Sequence, residues 1–241
     1  GQLVIGLLCR GHCILEGVPG LAKTMLVSSV AQTLGLSFRR IQFTPDLMPA
    51  DILGSEVLDT APDGTRAFRF VQGPIFCQLL MADEINRATP KTQSAMLEAM
   101  QERSVTIGGE IRKLALPFFV LATQNPIDQE GTYPLPEAQL DRFFYKLLVD
   151  YPTAEELSEI VTRTTEGTKV QVSKVVDGAT LIELQQLVQQ VPVASHVKDY
   201  AVRLILATHP NTETAQEITN QFLKFGSSPR GAQSLLLGAK V

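Results

Sequence analysis

The stretch GVPGLAKT, residues 17–24, decides the fold. It follows the short apolar run HCILEG (12–17) and precedes TMLVSSVAQTLG (24–35), where apolar residues recur at helical spacing up to a glycine stop at Gly35. The order is strand, loop, helix. A loop so placed turns its backbone N–H groups and the positive helix end toward one point, where phosphate oxygens can sit. Lys23 adds a charge for terminal phosphates, and the Thr24 hydroxyl is placed to reach Mg²⁺. The usual pattern has glycine directly before the lysine, and here that residue is Ala22. Gly17 and Gly20 keep the turn open, and Ala22 adds only a methyl group, which fits if its φ is negative. A Gly/Pro turn leading into an ordinary helix cap is the alternative.

Working outward, FRRIQF (38–43), CQLLMADE (77–84), PFFVLATQN (117–125) and YKLLVDYP (145–152) read as four further strands. Their apolar residues alternate little, the pattern of a parallel sheet buried on both faces by helices. Between the third and fourth strands, TPKTQSAMLEAMQER has Thr89 as a cap, Pro90 at the first helical position and Met96, Leu97 and Met100 on one face. Two segments read as hairpins added to this core. GSEVLDTAPDGTRAFRFVQG turns at Pro62-Asp63-Gly64, and SVTIGGEIRKLALP turns at Gly108-Gly109. Their apolar residues, Phe68, Phe70 and Val71 on the first and Ile107 and Ile111 on the second, are of a kind that packs locally more often than it grips a substrate. After Pro152 strand signals stop, and helical patterns run over 154–166, 179–191 and 195–207. The expected division is an α/β core over 1–152 carrying both hairpins and an all-helical domain over 153–241, truncated at its C-terminus.

Composition excludes several classes. With 241 residues and 44% apolar content, the chain can bury a substantial core. A net charge of −4 with scattered Lys and Arg gives no basic stripe for nucleic acid. Cys9, Cys13 and Cys77 have apolar neighbours and no paired framework, the pattern of buried thiols in a reducing compartment such as the cytoplasm. No run of about 18 apolar residues is present to span a membrane. His12, His196 and His209 lie far apart without acidic or cysteine partners at ligand spacing, so no metal other than Mg²⁺ is expected. The chain begins GQLVIGLLCRG and stops at GAKV within a helical pattern, so a fragment of a longer protein is expected.

The run LLMADE delivers two acids at the end of its strand. Asp83 would hold the Mg²⁺ shell, and Glu84 could polarise an attacking water as general base. Taken alone, adjacent acids after a strand also suit a solvated loop; the phosphate-type loop is what gives them a partner. Asn125, ending ATQN, could orient water or contact a γ-phosphate, and reads equally as a turn-former.

With these residues in place the sequence resembles the AAA+ ATPases, and within them the MoxR family. The resemblance rests on LEGVPGLAKT, ADEINRATPKTQSAMLEAMQER, ATQNP and QEGTYPLPEAQLDRF, and covers essentially the whole chain. It implies a P-loop five-stranded parallel sheet flanked by helices, followed by a small helical lid, in a ring that is usually hexameric with ATP between subunits. It also implies that alanine before the lysine is tolerated. By position, Gly17, Val18, Pro19, Gly20, Leu21, Ala22, Lys23 and Thr24, with Met25 following, form the Walker A loop; Asp83 and Glu84 are the Walker B acids and Asn125 is sensor 1. Arg142 in LDRF matches the arginine finger that reaches a neighbouring subunit's γ-phosphate, where a guanidinium suits charge spread over a transferring phosphoryl group. Without the family it reads as a surface arginine capping a helix.

Arg230 in SSPRGAQ matches sensor 2, on a helix capped by Ser228 and opened by Pro229. Gln42 lies where related ATPases place a polar switch that restrains the catalytic glutamate, and Arg87 and Arg103 suit a subunit interface. The hairpins match the insertions of the helix-2-insert branch, which face the pore or the client. MoxR proteins also carry residues upstream of a GQ pair that wrap the adenine; here Gly1-Gln2 opens the sequence, so weakened nucleotide affinity is expected.

The resemblance implies an ATP-hydrolysing motor that remodels or matures protein complexes. Its partners would be proteins with von Willebrand factor A domains and client enzymes receiving metals or cofactors. Two other classes remain. A DNA-acting AAA+ protein would carry basic hairpins, and Arg66, Arg69, Arg112 and Lys113 supply modest charge. A nucleotide-gated scaffold with little turnover would not require Glu84 and Arg142.

Overall fold

The computed structural model describes residues 1–17, 20, 22–60, 64–125, 131–165 and 172–241. Among these residues the strands are β1 (Cys13–Gly17), β2 (Phe38–Gln42), β3 (Gly54–Thr60), β4 (Arg66–Gln72), β5 (Leu79–Asp83), β6 (Ser104–Ile107), β7 (Glu110–Lys113), β8 (Phe119–Gln124) and β9 (Tyr145–Val149). The α-helices within the first 150 residues are α1 (Gln2–Leu8), α2 (Lys23–Thr33), α3 (Pro49–Leu53), α4 (Pro90–Glu102) and α5 (Glu137–Leu140). Those beyond are α6 (Ala154–Thr165), α7 (Gly178–Gln190), α8 (Ser195–Ala207), α9 (Glu217–Phe222) and α10 (Pro229–Gly238). The five strands read from sequence form one sheet in the order β2-β5-β8-β1-β9, parallel at every pairing.

The three central strands are the apolar runs, and both their faces are covered. On one face Ile14, Leu80, Ala82, Val120 and Ala122 pack with Met96, Leu97 and Met100 of α4. On the other, Cys13, Leu15, Leu79, Met81 and Leu121 pack with Val27 and Ala31 of α2. The edge strands β2 and β9 are instead mostly open to solvent. All three cysteines are free and buried, and burial pushes the Cys13 and Cys77 thiols up to about 12. Of the helices after residue 150, α7 returns to the sheet. Leu181 joins the core under α2, and Gln185 Nε2 donates to the Leu7 carbonyl at 2.7 Å. No helix among the described residues is long and apolar enough to cross a membrane.

Both hairpins form, β3 against β4 and β6 against β7. Gly108 and Gly109 have φ of 61° and 82°, the two positive angles of a tight two-residue turn. Pro62 and Asp63 of the other expected turn lie outside the described residues. Local packing holds for Phe70, which meets Phe76 at 5.6 Å between centroids and lies 4.0 Å under the Arg112 guanidinium, and for Ile107, which packs on the core. It fails for Phe68 and Ile111, which are 72% and 71% exposed because both project from two-stranded ribbons with no layer over them. Thr89 stands at the N-cap of α4, but its hydroxyl meets Thr92 Oγ1 at 3.3 Å and makes no cap bond to the backbone.

His12, just before β1, has a clear structural role. Val120 N–H donates to its Nδ1 at 2.9 Å, which leaves the proton on Nε2, 3.2 Å from the Met100 carbonyl. One neutral imidazole thus joins the sheet to the end of α4. Burial pushes its pKa from 6.5 down to about 4.

The loop between β1 and α2 departs from expectation at Ala22, whose φ is +51°. The methyl group is accommodated at the start of α2, but in the left-handed region, where an L-residue carries a cost that glycine does not. Gly17 is needed for a different reason from the turn. A Cβ there would come within 2.7 Å of the Val149 carbonyl on β9. Gly20, at φ +86°, has open space around it.

Two outcomes follow. Ala22→Gly should raise stability by about 1 kcal/mol in urea unfolding, since it removes the left-handed strain. For His12 the folded pKa lies below the unfolded one, so the unfolded chain takes up the proton first as pH falls. Stability present above pH 6.5 should decline by up to about 3 kcal/mol toward pH 4, and His12→Asn should flatten that slope in the same measurement.

Candidate active site

A parallel sheet presents the C-terminal ends of its strands on one side, and a polar cleft of about 380 Å³ lies there. Gly20, Ala22, Lys23 and Thr24 form one wall, Asp83 and Glu84 close the end of β5, Asn125 follows β8, and Arg40 and Gln42 come from β2. Lys23, Thr24, Asp83, Glu84 and Asn125, drawn from three separate segments, are thereby brought together. Val18, Pro19 and Leu21 lie outside the described residues. Met25 does not line the cleft; the residue is 63% exposed on α2.

The two acids are fixed by a residue that motif reading passed over. Thr123, buried on β8, donates its hydroxyl to Asp83 Oδ1 at 2.6 Å and accepts the Glu84 backbone N–H at 2.8 Å. Glu84 itself is at φ +55°, a strained position for a non-glycine residue and one that turns its side chain off the strand axis. Its Oε2 accepts from Gln42 Nε2 at 2.9 Å and from Arg87 Nη1 at 3.0 Å. Asp83 Oδ2 accepts from Arg40, Nη2 at 2.5 Å and Nε at 3.1 Å. Lys23 Nζ donates to the Gly17 carbonyl at 2.6 Å. Burial lowers its pKa, and the charges of Asp83 and Glu84 oppose that shift. The cleft is therefore lined by two carboxylates and two cationic side chains, with Arg87 reaching Glu84 from beside it. Asn125 is buried at its edge, and its carbonyl accepts from Asn86 Nδ2 at 3.5 Å.

Arg142 and Arg230 are elsewhere. They share a second depression, about 440 Å³, with Arg10, Arg103 and Phe144 at the opposite, N-terminal end of the strands. Asp141 organises it: Ser228 Oγ donates to Oδ1 at 2.5 Å and Arg230 Nη1 pairs with Oδ2 at 3.1 Å. The Ser228 hydroxyl also accepts the Arg230 N–H at 3.0 Å, capping α10 as the SSPR pattern indicates. Arg87, by contrast, belongs to the first cleft through Glu84.

Sequence reasoning missed Arg40, Thr123 and Asp141. A signal existed for Thr123, a hydroxyl inside an otherwise apolar strand one residue from the strand's end, and for Arg40, two residues before Gln42 and so on the same face of β2. Nothing local marks Asp141.

The comparisons with known proteins agree with this geometry. Residues 12–145 match the model of the ATPase family associated with various cellular activities (AAA). Over 239 residues the chain is 44% identical to Chaperone MoxR1 of Mycobacterium tuberculosis, covering 99% of this chain and 62% of that protein. It is also 44% identical to the uncharacterized protein YeaC of Bacillus subtilis, covering 98% of this chain and 70% of YeaC. The crystal structure of a candidate ATPase from Cytophaga hutchinsonii superimposes with a TM-score of 0.89 at 42% identity, over 99% of this chain and 72% of that one. The chain thus spans less than two thirds of MoxR1's length. The parallel sheet, the loop that opens α2, the paired acids and these relatives together place the chain in the MoxR family of AAA+ ATPases.

Proposed function

We propose that this chain binds ATP with Mg²⁺ in the cleft at the C-terminal end of the sheet and hydrolyses it as one subunit of a ring. The observation that carries the reading is the convergence of Lys23, Thr24, Asp83, Glu84 and Asn125 on one cleft from three segments far apart in sequence. Asp83 and Thr24 offer hard oxygen donors of the kind Mg²⁺ takes, and Asp83 already accommodates a positive group in the Arg40 guanidinium, so the residues fit the ion. Bound there, Mg²⁺ would neutralise charge on the phosphate oxygens.

The rest of the chemistry falls to the chain. The loop over 17–24, at the N-terminus of α2, supplies N–H donors to phosphate oxygens, and Lys23 adds its charge once it turns from the Gly17 carbonyl. Glu84 accepts a proton from the attacking water, after leaving Gln42 and Arg87, which hold it in the observed state. Asn125 orients that water or the terminal phosphate. Gln42 is the restraining switch.

Arg142 and Arg230 lie at the far end of the strands and cannot serve the same cleft without large movement. Their shared position favours action on a neighbouring subunit's nucleotide, Arg142 as the finger and Arg230 beside it. For Arg230, matched to sensor 2 of the lid, this position favours action across an interface. Arg103, in the same depression, fits that interface.

We assign residues 1–152 as the nucleotide-binding core and 153–241 as the helical lid, with α7 anchoring the lid through Leu181 and Gln185. The ring is proposed to be a hexamer acting in the cytoplasm. Chaperone MoxR1, by its name, supports a role in remodelling or maturing protein complexes. The partners we propose are a von Willebrand factor A domain protein and a client enzyme receiving a metal or cofactor. The hairpins, with exposed Phe68 and Ile111, are the surfaces proposed to meet the client.

Phosphate release per subunit should rise steeply with protein concentration. Glu84→Gln should lower turnover about 10²- to 10⁴-fold with ATP binding retained. Arg142→Ala should lower it about 10³-fold or more. Activity that is flat with concentration and survives loss of Arg142 would sink the shared-site reading.

A further inference from the structure

The residue in the first cleft with no role so far is Arg40. It stands on the edge strand β2, 43 positions from the acid it contacts, and its guanidinium makes three contacts that converge. Nη2 and Nε lie on Asp83 Oδ2, at 2.5 and 3.1 Å, and Nη2 also donates to Gln42 Oε1 at 2.7 Å. Gln42 in turn donates from its Nε2 to Glu84 Oε2 at 2.9 Å. A continuous path therefore runs from one acid to the other: Asp83, Arg40, Gln42, Glu84.

The occupancy of Asp83 makes that path consequential. Oδ1 is taken by the Thr123 hydroxyl at 2.6 Å, on a buried residue that also fixes the Glu84 N–H and so is not free to leave. Oδ2 is the other oxygen, and Arg40 covers it. The Asp83 side chain is 14% exposed and that of Arg40 is 45% exposed, so the guanidinium can swing to solvent while the carboxylate stays. A divalent cation and Arg40 compete for the same oxygen. When Arg40 leaves, its bond to the Gln42 carbonyl oxygen breaks, and the amide that holds Glu84 loses its own anchor.

We propose that Arg40 is a built-in counter-ion for Asp83, displaced by the divalent cation, and that its displacement loosens Gln42 from Glu84. It is a positioning residue, acting through Asp83 and Gln42 and touching neither nucleotide nor reacting water. The proposal rests on the Mg²⁺–nucleotide reading of the cleft and adds to it a coupling between cation arrival and release of the base. A guanidinium suits this work better than an ammonium, since its fork reaches Asp83 and Gln42 at once.

The test is a Mg²⁺ titration of fluorescent ATP-analogue binding to the full chain, which reads cation occupancy without turnover. In Arg40→Ala the half-saturating Mg²⁺ concentration should fall about fivefold, the competition expected from a partly exposed ion pair. Arg39→Ala removes an equal charge from the adjacent position on the other face of β2 and should stay within about twofold of the parent. Gln42→Ala should lower the half-saturation point less than Arg40→Ala, and the double variant should match Arg40→Ala alone, because both act along one path. Arg40→Lys, which keeps a charge on the strand, should lie between parent and Arg40→Ala. An unchanged or raised half-saturation point in Arg40→Ala, or an equal fall in Arg39→Ala, overturns the counter-ion role. Effects of Arg40→Ala and Gln42→Ala that multiply overturn the coupling. Absence of any Mg²⁺-dependent binding in the parent overturns the nucleotide reading itself, and this proposal with it.

Discussion

The hydroxyl of Thr123 is the small contact on which the site depends. It donates to Asp83 and accepts from the Glu84 backbone, so a single oxygen on β8 sets the positions of both acids at the end of β5. It can do so because β5 and β8 are parallel neighbours in register, Ala82 beside Ala122, with β1 on the other side of β8 pairing Leu15 to Thr123. A one-residue slip would turn Thr123 into the opposite core layer and leave a buried carboxylate short of a donor. The apolar packing on both faces of the sheet fixes the register, and the register fixes the chemistry.

Around that contact the charged side chains of the cleft pair with groups of the protein itself. Asp83 is held by Arg40, Glu84 by Gln42 and Arg87, and Lys23 by the Gly17 carbonyl. Asp83, Glu84 and Lys23 each have a partner within the protein, so binding at these groups exchanges one contact for another. Such exchange avoids leaving like charges or unpaired donors in a partly buried site. The left-handed backbone at Ala22 and Glu84 shows that the cleft is also held under some conformational strain, at the two turns that aim the loop and the second acid.

The sheet was legible because central parallel strands are buried on both faces and so read as unbroken apolar runs. The strand–loop–helix order around GVPGLAKT and the acids of LLMADE were legible because they are local patterns tied to a strand end. What was not legible was long-range or conformational. The positive φ of Ala22 follows from how α2 starts, and residue identity pointed the other way. Arg40 and Asp83 are 43 positions apart, and Arg230 and Asp141 are 89 apart, so no spacing rule links them. The exposure of Phe68 and Ile111 depends on what covers a ribbon, and an alternation pattern does not say that.

The same distances divide the machinery in two. One end of the sheet carries Lys23, Asp83, Glu84 and Asn125; the other carries Arg142 and Arg230, the latter paired with Asp141. The proposed head-to-tail ring would bring opposite ends of identical chains together. The most direct test of that account is to mix Glu84→Gln with Arg142→Ala protein and measure phosphate release. The account gives recovery of about a quarter of the parent rate in an equal mixture, because an intact Glu84 then meets a neighbour's intact Arg142 at random in a heterologous ring. A mixture as silent as its two components would contradict it.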